Sequence, residues 1–253
     1  MRILRVLHAG KVFYASLIDR QLHCLDKNLE FTDPIPLAEV RALPPVSPSK
    51  IVGVALNSRS LAREQGGEAA PEPEFYLKPP TSLVGPGEAI LLPYGVGPVA
   101  LEGQLAMVIG KAARRVDPQD VPEHLFGYCC AGDVTAVELA ARENGLTRSK
   151  GFDTFLPLGP WIETEAPDMA TLSVSVSVNG QLQGQAPFSD YIISPWELVS
   201  AVSHIMTLTP GDVVLCGATA ATAELPPGCE VRVEIPGMGL LINPVLAEPR
   251  NVQ

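Results

Sequence analysis

The stretch Leu101 to Gly110, L-E-G-Q-L-A-M-V-I-G, constrains the fold of this chain more than any other. Leu105, Ala106, Met107, Val108 and Ile109 run apolar into Gly110, which predicts a strand covered on both faces. The first half breaks the run, because Glu102 and Gln104 are polar and two residues apart. Residues two apart on a strand point to the same side. An acid and an amide are therefore aimed together at one face of a sheet, beside an apolar core. Two readings are open for this pair. It is a solvated edge face, or it is half of a hard-cation site that takes a third oxygen from elsewhere in the chain.

The rest of the chain is compatible with a strand-rich protein that buries a large core. Of 253 residues, 46% are hydrophobic and 18% charged, and 25 Pro and 22 Gly are spread throughout. That mixture predicts many short strands and turns rather than a helical bundle. A formal charge of −10 argues against nucleic acid or an anionic membrane as partner, since both require a basic footprint. Five cysteines without a C-x-x-C or His-rich spacing give no zinc signature. The opening M-R-I-L-R-V-L-H-A-G-K carries no long apolar stretch, and no segment reaches the roughly 18 apolar residues of a membrane helix. The expectation is a cytoplasmic protein in a reducing compartment.

In chain order, Arg2–His8 and Val12–Ile18 read as a hairpin about Gly10, followed by a proline-rich link. This predicts a small β domain with linker over 1–47, a main domain over 48–247 and a tail over 248–253. Ile51–Leu56 reads as a buried strand ended by Asn57-Ser58-Arg59-Ser60. Residues 61–74 read as a polar, mobile segment, either a lid or a plain surface loop. Phe75-Tyr76-Leu77 is a short strand. Asp117 and Pro118 read as cap and first residue of a helix. Leu125–Ala131 reads as a strand leading to Asp133, which at a strand-to-helix junction either caps the helix or turns into a site. Lys150 lies in a turn-rich apolar segment, where snorkelling is the ordinary behaviour of a lysine. Asn179-Gly180 signals a tight hairpin. Ser194-Pro195-Trp196-Glu197 is a capping box opening a helix to about Met206. The sum is an α+β, β-rich domain.

Seven motifs in register make residues from about 50 to 245 resemble the fumarylacetoacetate hydrolase family. They are K-P-P-T-S-L at Lys78 to Leu83, E-G-Q-L-A-M-V-I-G-K at Glu102 to Lys111 and G-Y-C-C-A-G-D-V-T-A at Gly127 to Ala136. Next come K-G-F-D-T-F-L-P-L-G-P-W at Lys150 to Trp161 and V-N-G-Q-L-Q at Val178 to Gln183. The last are T-L-T-P-G-D-V-V-L-C-G at Thr207 to Gly217 and G-M-G-L-L-I-N at Gly237 to Asn243. The resemblance, closest to the isomerase/decarboxylase branch of homoprotocatechuate breakdown, implies a rolled mixed β-sheet core with a small N-terminal β domain, and a homodimer. It implies Mg²⁺ or Mn²⁺ held at Glu102, Gln104 and Asp133, chelating a substrate's 2-oxo oxygen and carboxylate. It also implies Lys150 beside the metal to stabilise an enolate, Lys78, Gly217 and Thr219 around the substrate, and Glu64 on the lid, with Lys150 and Glu64 as the catalytic residues, supplying a cationic sink and a proton donor.

This chain departs from the family pattern at several of those positions. The second Glu of E-x-E is Gln104, which removes a negative charge and should weaken metal binding. The lid histidine is Leu61, leaving Glu64. The hydroxyl expected at 218 is Ala218, with Thr219 next to it, and the Arg of the family's S-A-R-D pattern is absent at Val137. Hydrolysis needs a base to activate water, and the usual one is missing. The expectation is a metal-dependent decarboxylase or isomerase, rather than a hydrolase, of a 2-oxo or 2-hydroxy-dienoic acid from aromatic breakdown. The alternative is a catalytically impaired subunit pairing with an active paralogue.

Overall fold

The computed structural model describes residues 1–29, 33–64, 66, 72–143, 145–166 and 168–249. The apolar run is part of the strand Val99–Ile109, and both of its faces are covered. Leu101, Leu105, Met107 and Ile109 pack into the larger apolar cluster with Val174, Val176 and Val233. Ala106 and Val108, pointing the other way, pack with Ile3, Val46, Ile51, Leu156 and Leu158. A continuous apolar run is what a strand between two layers requires, since neither face meets water.

Two sheets supply those layers. The larger runs, from one edge, Ile35–Pro36, Gln21–Cys24, Lys11–Ile18, Arg2–His8, Leu156–Glu163, Leu125–Ala136, Val99–Ile109, Val213–Leu215, Ile51–Val54 and Phe75–Lys78. The smaller runs Gln181–Pro187, Ser173–Val178, Glu230–Ile235, Gly239–Ala247 and Ile90–Leu92. Both are mixed. Val213–Leu215 is parallel to Ile51–Val54, and Gly239–Ala247 is parallel to Ile90–Leu92. The sheets press together at Gly103. A Cβ there would lie 2.6 Å from Val176 Cγ2 and 2.9 Å from Val174 Cγ2. Glycine between Glu102 and Gln104 therefore lets the second layer press against the back of the strand that carries the pair.

Most local signals are realised. Arg2–His8 and Lys11–Ile18 pair antiparallel, and the turn residues Ala9 and Gly10 both have positive φ, 48° and 75°. The hairpin joins the large sheet where Arg2 and Ile3 pair with Glu163 and Ile162. Asn179 and Gly180 likewise both have positive φ between the strands they join. The helix Pro195–Ile205 opens on Ser194, whose side chain accepts from the Glu197 N–H while the Glu197 carboxylate accepts from the Ser194 N–H. Among the described residues no helix is long and apolar enough to cross a membrane.

Three elements differ from the sequence expectation. Asp117-Pro118 opens no α-helix. Pro122 removes another backbone donor four residues on, and only the 3-10 turn Val121–His124 forms. The strand read as ending at Ala131 runs Leu125–Ala136, because its whole length finds a ladder on Val99–Ile109. The segment read as polar and mobile over 61–74 begins inside a helix, Arg59–Glu64. Within it, 65 and 67–71 lie outside the described residues, as do 250–253 of the tail.

Asp212 ties Ser49 and Lys50 to the turn before Val213–Leu215. Its carboxylate, fully buried, accepts from Ser49 N and Oγ, Lys50 N, and Thr209 N and Oγ1, and it pairs with Lys50 Nζ at 2.6 Å. Burial pushes this carboxyl up, but the bonds from Lys50, Thr209 and Ser49 outweigh it and hold it below the usual carboxylate value. A group depressed in the folded state adds stability above its unfolded pKa, and that stability is lost as pH falls through the folded value. Asp212→Asn should therefore cost about 2–4 kcal/mol in urea unfolding at pH 7. The gap between variant and wild type should narrow below about pH 4.

Candidate active site

The two polar residues of the central strand meet Asp133 across the ladder. Glu102 is the direct partner of Asp133, and Gln104 that of Ala131. Opposed residues of an antiparallel pair share a face, so two carboxylates are set side by side, with Thr135 two residues further along. Asp133 thus sits in mid-strand, fully buried, and neither caps a helix nor stands at a junction. Two like charges this close, one without solvent, require counter-charges.

The chain supplies two lysines. Phe75–Lys78 pairs with Ile51–Val54 and turns Tyr76 and Lys78 inward, two residues apart. Lys78 Nζ donates to Asp133 Oδ1 at 2.7 Å and to the Val134 carbonyl at 3.2 Å. The Tyr76 hydroxyl donates to Asp133 Oδ2. Gly53 makes the room for this ring, since a Cβ there would lie 2.2 Å from Tyr76 Cζ. After the strand the chain forms two short helices, Val137–Arg142 and Thr147–Lys150. The second delivers Lys150 Nζ to Asp133 Oδ2 at 2.6 Å, Thr135 Oγ1 at 2.7 Å and Glu102 Oε2 at 3.1 Å. Lys150 also stands 5.1 Å from the Tyr76 ring centroid.

Protonation follows from this packing. Burial pushes Asp133 up, but Lys150 and Lys78 outweigh it and hold it well below the carboxylate range. Burial raises Glu102 beyond what Lys150 lowers it. Burial lowers Lys150, but Asp133 and Glu102 carry it above the usual lysine value. Lys78, with no solvent contact, is lowered by burial to about 8.

Gln104 is oriented by the opposite edge. The ladder beside Val99–Ile109 breaks between Val213–Leu215 and Thr222–Glu224, and the loop between them bonds the central strand irregularly, Cys216 N–H to the Leu105 carbonyl and Gly103 N–H to the Ala221 carbonyl. Gly217, at φ 93°, turns its N–H onto Gln104 Oε1 at 2.9 Å. A backbone N–H can only donate, so the amide oxygen is committed there. The amide nitrogen then faces the carboxylates, 3.3 Å from Asp133 Oδ2 and 3.4 Å from Glu102 Oε2. Gln104 enters the cluster as a donor.

Above the cluster opens a cavity of about 780 Å³, a size that suits a small organic ligand. Glu102, Lys150, Thr135 and Thr222 supply polar groups, and Leu61, Leu146, Ile192, Ile193 and Ala218 line it with apolar surface. Glu72 and Glu74 stand on its wall. The helix Arg59–Glu64 is fixed beside it from below. Asp190 accepts from Ser58 Oγ and from Ser60 N and Oγ, and Asn57 bridges the Ile193 and Cys216 carbonyls and the Ile193 N–H.

The structure therefore brings together Glu102, Gln104, Asp133, Lys150 and Lys78. Of these, Glu102 and Lys150 reach the cavity, whereas Lys78 lies behind Asp133 with 0% side-chain exposure. Thr219 is buried away from the cavity, donating to the Gly103 carbonyl and accepting from the Ala221 N–H. Glu64 is exposed at the end of its helix, which presents Leu61 to the cavity instead. Tyr76, Thr135 and Thr222 were not singled out by the sequence reading. Tyr76 was legible as the residue two before Lys78 on one strand, hence on the same face.

A divalent cation does not fit this donor set. Among the described residues no three His, Cys, Asp or Glu side chains gather so as to hold a metal ion. At the third position an amide nitrogen, not an oxygen, faces inward, and both carboxylates already carry ammonium partners.

Residues 50–246 match the sequence profile of the family described as fumarylacetoacetate (FAA) hydrolase, C-terminal. A mitochondrial oxaloacetate tautomerase of Bos taurus is 35% identical over 84% of this chain and 71% of its own length. The 5-carboxymethyl-2-hydroxymuconate delta-isomerase of Mycobacterium smegmatis superposes with a TM-score of 0.90, 35% identical over 99% of this chain and 100% of that one. The maleylpyruvate hydrolase of Sphingobium sp. SYK-6, solved with manganese(II) and pyruvate, gives 0.82 at 26% identity over 98% and 100%.

Because Lys78 serves Asp133 rather than the cavity, its loss should appear as stability. Lys78→Met should lower the unfolding free energy by about 3–5 kcal/mol, the usual cost of breaking a buried pair. Urea denaturation followed by far-UV circular dichroism measures it. An unchanged midpoint would show that Asp133 does not depend on Lys78.

Proposed function

The chain belongs to the fumarylacetoacetate hydrolase family, and from that premise we propose that it isomerises a 2-oxo or 2-hydroxy-dienoic acid of aromatic ring breakdown by enol–keto proton transfer. Decarboxylation of a 2-oxo acid is the related reaction the same groups could serve. The observation that carries this reading is one contact on the cavity floor. Lys150 Nζ lies 3.1 Å from Glu102 Oε2, a fixed cation beside a carboxylate, both lining the cavity.

Enol–keto conversion moves one proton between an oxygen on C2 and the neighbouring C3, with no change in the heavy-atom frame. Two groups suffice. A cation must hold the C2 oxygen as negative charge develops on it, and a base must take the proton from carbon and return it to that oxygen. Lys150 is fixed for the first task by Asp133 and Thr135, and its raised pKa keeps it charged. Glu102, shifted up by burial toward the range where proton transfer is efficient, suits the second. Asp133, held ionised, orients the lysine.

Hydrolysis has less support. None of the described cavity-lining residues is a histidine. His124 and His204 bond backbone carbonyls of Ala112 and Ser200. The walls also bear on the substrate. Lys150 is the only cation among the described lining residues, while Glu72 and Glu74 add negative charge. A second carboxylate at the far end of the substrate would face these acids unpaired.

Ultraviolet absorbance of the enol tautomer tests the reading directly. The protein should accelerate tautomerisation of phenylpyruvate. It should favour phenylpyruvate over oxaloacetate, with its second carboxylate, by about tenfold or more in kcat/KM. Glu102→Gln and Lys150→Met should each lower kcat/KM by about a hundredfold or more, with circular dichroism confirming the fold. Full activity in Glu102→Gln would remove the proposed base. No turnover of any 2-oxo acid tried would favour the impaired-subunit alternative.

A further inference from the structure

We propose that the ammonium of Lys150 is the permanent cation of this pocket, and that the pocket binds 2-oxo acid anions without a divalent metal. This rests on the reading of the cavity as a 2-oxo acid site, and it concerns what neutralises the bound anion there.

Three independent features point the same way. The first is the sense of the Gln104 amide. Gly217 N–H occupies its oxygen at 2.9 Å, so turning the amide to offer that oxygen to a metal would leave the N–H facing an NH₂ group. An unpaired buried donor is destabilising, and two opposed donors add repulsion. The second is charge. Glu102 and Asp133 contribute two negative charges, and Lys78 and Lys150 two positive ones, joined by three ion pairs of 2.6, 2.7 and 3.1 Å. The cluster is neutral as it stands, and a divalent ion would load it with two uncompensated charges beside Asp133, Gln104 and Lys78, all buried.

The third feature is position. Lys150 Nζ spans the two carboxylates, 2.6 Å from Asp133 Oδ2 and 3.1 Å from Glu102 Oε2. An ion bridging Glu102 and Asp133 would contend for that same place. Unlike Lys78, Lys150 also borders the cavity, so it can meet a ligand without leaving its carboxylates. An ammonium is a point charge with three donors, and three protein oxygens already orient it. A bound 2-oxo acid would share those protons through its C2 oxygen and carboxylate.

The test reads metal and anion binding separately from turnover. The full chain is stripped with EDTA, dialysed and titrated with Mn²⁺, with free ion followed by electron paramagnetic resonance. Oxalate serves as the anion probe, followed by calorimetry in EDTA and again with Mn²⁺. The wild type should show no Mn²⁺ uptake up to about 1 mM, and oxalate affinity should agree within about twofold in the two buffers. Lys150→Met should abolish oxalate binding. Gln104→Glu, whose carboxylate would still accept the Gly217 N–H, should acquire Mn²⁺ affinity at least about tenfold above wild type.

Mn²⁺ uptake by the wild type below about 100 μM that Glu102→Gln abolishes would overturn the proposal. Oxalate binding that appears only with Mn²⁺ would do the same. A protein that binds oxalate without metal but turns over no 2-oxo acid upholds this inference and rejects the isomerase reading.

Discussion

Asp133 is the interaction on which the site depends. A carboxylate with no solvent contact is held by two ammonium groups, a phenol and an amide, delivered by three different elements. Removing its solvation costs several kcal/mol, so each donor must arrive in place for the fold to tolerate the charge. The strand Phe75–Lys78, the helix Thr147–Lys150 and the central strand Val99–Ile109 are thereby locked to one point.

The economy of the central strand follows from its two-residue period. One face is apolar throughout its length. The other is apolar at Ala106 and Val108 and polar at Gln104 and Glu102. Core and chemistry are thus separated by one turn of the pleat, with no loop between them. Rigidity of this kind suits a site whose groups must keep their spacing while charge moves, since a misplacement of about 1 Å is enough to lose much of the benefit.

Much of this was readable in the chain. The Glu102–Gln104 face, the double burial of Leu105–Ile109, the Ser194 cap and the Asn179-Gly180 turn are local, and local patterns survive into the fold. The family motifs placed Asp133 and Lys150 beside Glu102. Three things were not legible. The strand through Asp133 looked like a helix junction, because Val134-Thr135-Ala136 signals nothing until a full-length partner strand is known. The place of Lys78 behind Asp133 depends on the pairing of Phe75–Lys78 with Ile51–Val54, a long-range fact. The sense of the Gln104 amide depends on a loop more than a hundred residues away. Glu64 stood where a family motif predicts a catalytic acid, but its helix turns a leucine toward the cavity, because Asp190 and Asn57 fix the start of that helix.

The Gly217 N–H has a consequence beyond orienting one side chain. It donates to the oxygen of glutamine or of glutamate with equal ease, so the backbone around position 104 is indifferent to which of the two stands there. The codons for those residues differ in a single letter. A scaffold of this kind can cross between a neutral and a negatively charged pocket floor in one mutational step and return as readily, without repacking any core residue. Divergence within such a lineage need not proceed by gradual loss.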